Sequence, residues 1–229
     1  MATKKQSRGT CTYCGKESSK AGMTKHLATC TQRQEAIAKA TEKKTKSGEV
    51  TLYHLRVQDA YRKEFWLDLE IAEDKSLKHL DDYLRAIWLE CCGHLSQFSL
   101  GGAFAHEVGM RRKIGEIFAN GEELTHIYDF GTSSETLVKM VNERNGKPTT
   151  SKAIALMARN LPPEETCIEC GKPATHLCME CLYEDNTQGT LCDQHVEEHP
   201  HEDYGEPIPL VNSPRIGMCG YTGPADPPY

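Results

Sequence analysis

A dense series of cysteine and histidine residues near the C-terminus constrains the fold of this chain more than any other feature. Residues 167–201 contain three pairs with the spacing Cys-x2-Cys or Cys-x2-His, followed by two further histidines. Eight sulfur and imidazole donors are the number that two tetrahedral zinc sites require. We predict zinc ligands at Cys167, Cys170, Cys178, Cys181, Cys192, His195, His199 and His201.

The spacing of these pairs favours ligands that alternate between the two ions. Only seven residues separate Cys170 from Cys178, which is short for a loop that closes one four-sulfur site. We therefore expect the first and third pairs to share one ion, and the second pair to share the other with His199 and His201. The spacing resembles B-box-type and related two-zinc modules, in which the ligands form a cross-brace.

Other assignments of the ligands stay open at the level of sequence. If residues 193–198 form a helix, His195 and His199 lie one turn apart on the same face and can share an ion. His176 and Cys219 are spare ligands, and Cys219 can take the place of His201.

A second pattern of this kind lies near the N-terminus, where Cys11 and Cys14 are followed by His26 and Cys30. A helix would place the last two residues, four positions apart, on one face opposite the turn that carries the first two. The unit resembles a Cys2HisCys variant of the Cys2His2 zinc finger, with Met23 at the position where a leucine is usual. We predict a third zinc ion here, so the whole chain would hold about three.

The core of this finger is thin, because Ser18 stands where such fingers carry an aromatic residue. Metal would then have to supply most of the folding free energy, and the binding energy of comparable peptides is about 10–16 kcal/mol. The following segment, residues 33–48, is rich in Ala, Glu, Lys and Gln and has little apolar periodicity. This composition predicts a basic helical linker.

Charge is distributed unevenly along the chain. Residues 1–46 hold 11 Lys and Arg against 3 Asp and Glu, a net charge of +8, whereas residues 161–229 hold 2 against 13, a net charge of −11. The basic segment 1–46, which we call the basic head, can approach a phosphate backbone. The acidic segment 161–229 would repel a phosphate backbone but can bind a basic protein. One finger covers only about three base pairs, so we expect non-specific contact with nucleic acid, or else a solvated basic face that docks protein. The candidates for phosphate contact are Lys16, Lys20, Lys25 and Arg33.

Apolar periodicity predicts an α+β domain over residues 49–161. Alternating side chains predict strands at 53–57 and 65–71, each with one buried face, and helical spacing predicts a helix over 77–91 that begins after Ser76. Further strands are predicted at 96–100, 125–130, 136–141 and 153–158, with a short helix at 114–118. This order indicates a mostly antiparallel sheet with a packed helix.

The predicted organisation is a finger at 1–32, the linker at 33–48, the α+β domain at 49–161, a zinc-binding module with a fold-back coil at 162–222, and a frayed tail at 223–229. No signal peptide is evident after Met1, and no apolar run approaches the roughly twenty residues of a membrane span. We therefore expect a cytoplasmic protein with no membrane partner. In a reducing compartment, the eight cysteines with zinc-type spacing are expected to bind metal rather than form disulfides.

Several motifs resemble the plasmid open-reading-frame-3-like family, whose members are also described as passengers of mobile elements in a resolvase-named group. The motifs of the central domain are Tyr53-His54-Leu55, Phe65-Trp66-Leu67, the segment from Leu80 to Trp88, Gly93-His94-Leu95-Ser96-Gln97-Phe98 and Ile127-Tyr128-Asp129-Phe130-Gly131. The likeness continues through Ala158-Arg159-Asn160, the cysteine module and the segment from Asn212 to Tyr221, and so covers about residues 50–222. It implies an α+β fold and a link to mobile elements, and it brings no catalytic residues.

Polar residues of the central domain form a candidate groove for a partner or ligand, at His94, His126, Tyr128 and Asp129. A metal-dependent hydrolase or nuclease acting there is the alternative function, with His106 as a further candidate ligand. Such an enzyme needs an open zinc position, whereas the predicted zinc sites have four protein ligands each, which is typical of structural zinc.

Two expectations concern the neighbours of this groove. Cys91 and Cys92 lack a Cys-x2-Cys partner and are expected to fill the core as thiols. In the turn that follows Tyr128, we expect Asp129 to accept hydrogen bonds from backbone amides, Phe130 to fill the core, and Gly131 to adopt an unusual φ.

These features predict a non-enzymatic, zinc-stabilised binding or adaptor protein. Its basic head would contact nucleic acid, and its acidic zinc module would bind a protein partner.

Overall fold

The computed structural model describes residues 6–42, 48–200 and 203–224, and it confirms the predicted α+β class. Nine strands form one antiparallel sheet. They are β1 (Arg8–Cys11), β2 (Glu17–Ser19), β3 (Val50–Asp59), β4 (Trp66–Ala72), β5 (Ser96–Leu100), β6 (His106–Val108), β7 (Leu124–Tyr128), β8 (Ser134–Gly146) and β9 (Ile154–Asn160). Their order across the sheet is β2-β1-β9-β4-β3-β8-β7-β5-β6.

A smaller sheet of three strands lies in the C-terminal part, with β10 (His176–Leu177) between β11 (Thr190–Leu191) and β12 (Ile208–Pro209). The helices are α1 (Lys20–Thr29), α2 (Thr31–Glu42), α3 (Leu77–Leu84), α4 (Ile114–Phe118), α5 (Met179–Tyr183) and α6 (Asp193–Val196).

The largest core lies on one face of the nine-stranded sheet. β3 and β4 pair with Leu55 opposite Leu69, and alternate side chains of both strands share this face. Helix α3 packs on it through Leu77, Leu80 and Leu84, which recur at helical spacing and are fully buried.

The opposite face of the same two strands carries buried charges. Asp68 is hydrogen-bonded to His54 Nε2 and accepts from Arg56 Nε, both at 2.7 Å. Glu70 accepts from Arg33 Nη2 at 3.0 Å. Arg33 belongs to α2, which covers this face together with α1, so β4 is buried on both faces rather than on the one that the alternating pattern predicted. Each buried carboxylate has a cationic or hydrogen-bonding partner, without which its burial would be costly.

The N-terminal finger is continuous with the sheet. β1 pairs antiparallel with β9, with Thr10 opposite Arg159. Trp66, the first residue of β4, is fully buried beside Met23 of α1. This indole occupies the core that the finger leaves thin, because the finger has Ser18 in place of an aromatic residue.

Some elements differ from the predicted boundaries. The helix predicted over 77–91 is α-helical only to Leu84 and continues through a wider, π-type turn, Arg85–Leu89. The strand predicted at 125–130 ends at Tyr128, because Asp129 has a φ of +65° that interrupts the extended backbone. β8 extends well beyond the predicted strand at 136–141, and the short strand β6 was missed.

The described part of the predicted linker, residues 33–42, lies in α2, where Arg33 and Ala40 are buried. This part of the segment therefore packs on the rest of the molecule. Over the described ranges, no helix combines the length and apolar character that crossing a membrane would need.

Candidate metal centres

Four groups of cysteine and histidine side chains converge among the described residues, and within each group all ligand atoms lie within 4.8 Å of one another. Such groups can hold metal ions. We call them the finger cluster (Cys11, Cys14, His26, Cys30), the first module cluster (Cys167, Cys170, Cys192, His195), the second module cluster (Cys178, Cys181, His199) and the loop cluster (Cys91, Cys92, His94, Cys219). His201, the eighth ligand predicted in the module, lies outside the described residues.

The separations between ligand atoms fit a tetrahedral zinc site. With Zn–S bonds of about 2.3 Å and Zn–N bonds of about 2.0 Å, the edges of the tetrahedron are about 3.8 Å between sulfurs and about 3.5 Å between sulfur and nitrogen. In the first module cluster, Cys170 Sγ lies 3.8 Å from Cys192 Sγ, and Cys167 Sγ lies 3.4 Å from His195 Nδ1. A disulfide would need about 2.05 Å between sulfurs, and none of the eleven cysteines, all of which lie in the described ranges, forms one.

The finger cluster and the first module cluster are built on the same backbone turn. The amide of a glycine donates to the carbonyl of the first cysteine at 2.9 Å in both, from Gly15 to Cys11 and from Gly171 to Cys167. The amide of that cysteine donates in turn to the carbonyl of the lysine after the glycine. The glycines have φ values of +72° and +70°, which glycine adopts without strain. The repeated sequence Cys-x2-Cys-Gly-Lys specifies this turn, and it is a signal that the sequence analysis missed.

Hydrogen bonds and burial shift the pKa values of the clustered thiols in opposite directions. Burial tends to raise the pKa of Cys167, but backbone amides, among them that of Cys192, outweigh burial and bring this pKa to about 6. Burial raises the pKa of Cys11 to about 11 and that of Cys181 to about 12. Because only the thiolate is a good metal ligand, a cation would have to ionise these last two sulfurs.

The two module clusters alternate along the chain, as the interleaved arrangement predicts. His195 follows Cys192 in α6 and lies against Cys167, whereas His199 Nε2 lies 3.3 Å from Cys181 Sγ. Helix α6 ends at Val196, so the alternative in which one helix presents both histidines to the same ion is not adopted.

The spare candidate His176 lies in β10, where its Nδ1 is 2.9 Å from Thr175 Oγ1 and 3.8 Å from Asp193 Oδ1. It belongs to none of the four clusters.

The loop cluster corrects the prediction for two cysteines. Cys92 is exposed and does not fill the core, whereas Cys91 is half-buried and packs against the edge of the main core. Cys91 and Cys92 follow the π-type turn and lie beside His94, and the spare candidate Cys219 joins them instead of the module. The spacing Cys-x-His at residues 92–94 was the available signal, but its fourth ligand is 125 residues away from the histidine.

The residues of the predicted groove are only partly brought together. His94 and Tyr128 are in edge-to-face contact, with ring centroids 5.7 Å apart, and His94 Nε2 lies 3.4 Å from Asp129 Oδ2. His126 is fully buried instead, and its Nε2 is hydrogen-bonded to Asp81 Oδ1 at 2.9 Å. His106 is exposed in β6, and none of the four clusters includes His106 or His126.

The turn after β7 differs in part from the prediction. Asp129 Oδ1 accepts a hydrogen bond from the Gly131 amide at 2.9 Å, as predicted. The unusual φ, however, belongs to Asp129 itself, and Phe130 is 45% exposed rather than in the core, where it meets the ring of Phe104.

The four candidates for phosphate contact are not equivalent. Lys16 and Lys25 are exposed. Lys20 is half-buried and donates to Gln58 Oε1. Arg33 was wrongly grouped with them, because its guanidinium is buried and paired with Glu70.

The fold and these sites define an α+β protein with Cys/His clusters that can hold metal ions. No family model and no curated protein matches the chain, so the likeness to the plasmid open-reading-frame-3-like family stays a prediction from motifs. Among solved structures, the chain is similar to MM3350 from Methanosarcina mazei Go1, a protein of unknown function. The two are 17% identical with a TM-score of 0.40, over 48% of this chain and 67% of that chain, and this similarity carries no information on function.

Proposed function

We propose that this protein is a metal-stabilised binding or adaptor protein and that its ions are zinc. The observation that supports this most directly is the convergence of four protein donors in the finger cluster and in the first module cluster. A site whose four positions are all filled by protein leaves none for an activated water, as in structural zinc. The ions would hold the shape of two segments that bury little core of their own.

The basic head is proposed to contact nucleic acid without sequence specificity. Its net charge of +8 over residues 1–46 supports this, as do the exposed side chains of Lys16 and Lys25 beside the finger cluster. Each lysine that neutralises a phosphate releases a counterion, so binding must weaken as salt is added.

Retention of the zinc-loaded, full-length protein on duplex and single-stranded DNA tests this part. The full chain is required because β1 of the finger pairs with β9. The variant Lys16→Glu/Lys25→Glu loses two phosphate contacts. The plot of the logarithm of its association constant for duplex DNA against the logarithm of the salt concentration should therefore be less steep by about 1.8. The double variant Lys113→Glu/Lys152→Glu changes two exposed lysines of the central domain by the same charge and should keep the slope. Absence of salt-dependent retention at low ionic strength would remove nucleic acid from the proposal.

The acidic module is proposed to bind a basic protein. Its net charge of −11 over residues 161–229 supports this, with exposed carboxylates at Glu197 and Glu198. The rings of Tyr183 and Tyr204 stack with their centroids 6.3 Å apart and are about half exposed, and tyrosine is enriched in protein interfaces.

Affinity purification from the native host tests this part. A specific partner should be lost from the variant Glu197→Lys/Glu198→Lys and retained by Glu107→Lys/Glu123→Lys, a pair of exposed carboxylates in the central domain. The bound metal should be the same in both variants. Equal recovery with both variants would exclude the acidic module as the binding surface.

The proposed link to mobile elements rests on the motifs shared with the plasmid open-reading-frame-3-like family. A partner encoded beside this chain on a mobile element would support the link. The alternative of a hydrolase or nuclease gains no support from the contacts of His126 and Asp129, which are bound to Asp81 and Arg215.

A further inference from the structure

We propose that the loop cluster is a fourth zinc site, and that its ion fastens the C-terminal coil, residues 210–221, to the central sheet. The proposal does not depend on nucleic-acid binding by the basic head or on protein binding by the acidic module. Three of its ligands, Cys91, Cys92 and His94, lie between the π-type turn and β5, and the fourth, Cys219, belongs to the coil.

The donor atoms of the loop cluster have the spacing of a tetrahedral site. Cys92 Sγ lies 3.5 Å from Cys219 Sγ and 3.7 Å from Cys91 Sγ. His94 Nε2 lies 3.0 Å from Cys92 Sγ and 3.6 Å from Cys219 Sγ. Three of these separations are near the edges of about 3.8 and 3.5 Å that zinc would impose, and the distance from Cys92 Sγ to His94 Nε2 is shorter than its edge by about 0.5 Å. A set of three sulfurs and one imidazole suits zinc.

The backbone on both sides of the site adopts conformations that bring the ligands together. Cys219 has a φ of +52°, which is uncommon for a residue other than glycine, and Gly220 follows with a φ of +63°. On the other side, Gly93 has a φ of +78° between Cys92 and His94. A bond from the sulfur to an ion would offset the cost of the left-handed conformation at Cys219.

A neighbouring side chain connects the cluster to the protein interior. Arg215 Nη2 donates to Cys91 Sγ at 3.6 Å and to Asp129 Oδ2 at 2.7 Å. Asp129 Oδ2 in turn lies 3.4 Å from His94 Nε2, the nitrogen that would bind the ion, so this carboxylate lies beside the site and does not accept from the other ring nitrogen. A donor such as Arg215 beside a metal-bound sulfur holds that ligand in position.

The role of the ion follows from where the ligands lie in the chain. The coil is already attached at Ser213, whose hydroxyl donates to Trp88 O at 2.6 Å, and at Arg215. Beyond these contacts, Cys219 is the point at which the end of the coil meets the loop before β5. An ion there would close a connection between residues more than 120 positions apart in sequence.

Exposure distinguishes this site from the other three clusters. Cys92 and Cys219 are both exposed, whereas two or more sulfurs are buried in each of the other clusters. A chelator in solution therefore reaches the loop cluster more easily, and its ion should be the first to leave.

Zinc counting by native mass spectrometry and elemental analysis of the full-length protein tests the proposal. Cys219→Ser and Cys92→Ser should each bind one equivalent less than the wild type, and the wild type should lose that equivalent first during chelation. His106→Asn alters an exposed histidine outside the clusters and should leave the count unchanged. Circular dichroism shows whether each variant is folded.

Hydrogen exchange separates a fastening role from metal binding alone. The coil of Cys219→Ser, or of wild-type protein that has lost its most labile ion, should exchange faster at residues 216–221, while β3 and β4 keep their protection. An unchanged zinc count in both cysteine variants would overturn the proposal. So would a Cys92–Cys219 disulfide in protein purified under reducing conditions, or equal alkylation of both thiols before and after chelation.

Discussion

Arg215 Nη2 donates a hydrogen bond to Asp129 Oδ2 at 2.7 Å, and the exposed fractions of the two side chains are only 0% and 9%. The pair joins the C-terminal coil to the turn after β7. The same guanidinium lies over the ring of Tyr128, 5.0 Å from its centroid, and donates to Thr132 O at 2.6 Å. One arginine thus connects a segment without regular structure to the turn between β7 and β8.

Arg215→Met should lower the free energy of unfolding by about 3–5 kcal/mol, because it leaves the Asp129 carboxylate buried without its cation. Arg112→Met removes an ion pair with Glu116 in which both side chains are about half exposed, and it should cost about 0–1 kcal/mol. Urea denaturation of the two variants measures the difference. Equal losses would show that the Arg215 pair is no more important than a surface contact.

The stability of the protein should depend on Asp68 below about pH 4. Burial tends to raise the pKa of Asp68, but hydrogen bonds from His54 and Arg56 outweigh burial and lower this pKa below its ordinary value. The stabilisation is therefore fully present above the pKa of the unfolded chain, about 3.9, and is lost as the pH falls through the lower pKa of the folded state. Asp59 acts in the opposite sense, because burial raises its pKa.

Denaturation midpoints measured between pH 6 and about pH 2.5 check this assignment. Asp68→Asn should be less stable than the wild type at pH 6 and should show a shallower loss of stability below about pH 4. Asp74→Asn changes an exposed carboxylate and should retain the wild-type slope. Neither residue belongs to a Cys/His cluster. Parallel curves for Asp68→Asn and the wild type would refute the role assigned to Asp68.

Trp66 should support metal binding by the finger, although it lies outside the finger in sequence. Its fully buried indole packs with Met23 and Leu27 of α1 and donates from Nε1 to Ser7 Oγ at 2.9 Å. Trp66→Leu should weaken metal binding at the finger cluster and leave the module clusters unchanged. Trp88→Leu disturbs the main core instead and should not act selectively on the finger. Chelator competition, with the cysteines of each cluster followed by alkylation and mass spectrometry, measures this selectivity.

Much of the fold could be predicted from sequence, because its signals are local. The alternation in β3 and β4 and the helical spacing of Leu77, Leu80 and Leu84 placed these elements. The burial of β4 on both faces was missed, since it depends on α2 and on the pairing of Arg33 with Glu70, residues far apart in sequence. Sequence periodicity describes one segment and carries no information on which distant segment covers it.

The same distinction applies to the Cys/His clusters. Residues at Cys-x2-Cys spacing converge because a single tight turn brings them together. The grouping of Cys167 with Cys192 could be predicted from the order of the Cys-x2-Cys and Cys-x2-His pairs along the chain. The loop cluster was missed because it joins Cys92 to Cys219 across the fold. Phe130 was placed in the core on its apolar character alone, but the left-handed conformation of Asp129 directs the chain outward at this turn.

The central claim is that these thiol and imidazole groups hold metal ions that stabilise the protein. Elemental analysis of the purified full-length chain, combined with alkylation of its cysteines in the native state, tests the claim most directly. We predict three or more equivalents of zinc per chain, with the sulfurs of the finger and module clusters protected until a chelator is added. A chain that holds well under one equivalent of metal, and whose cysteines are freely alkylated while it remains folded, would contradict the account.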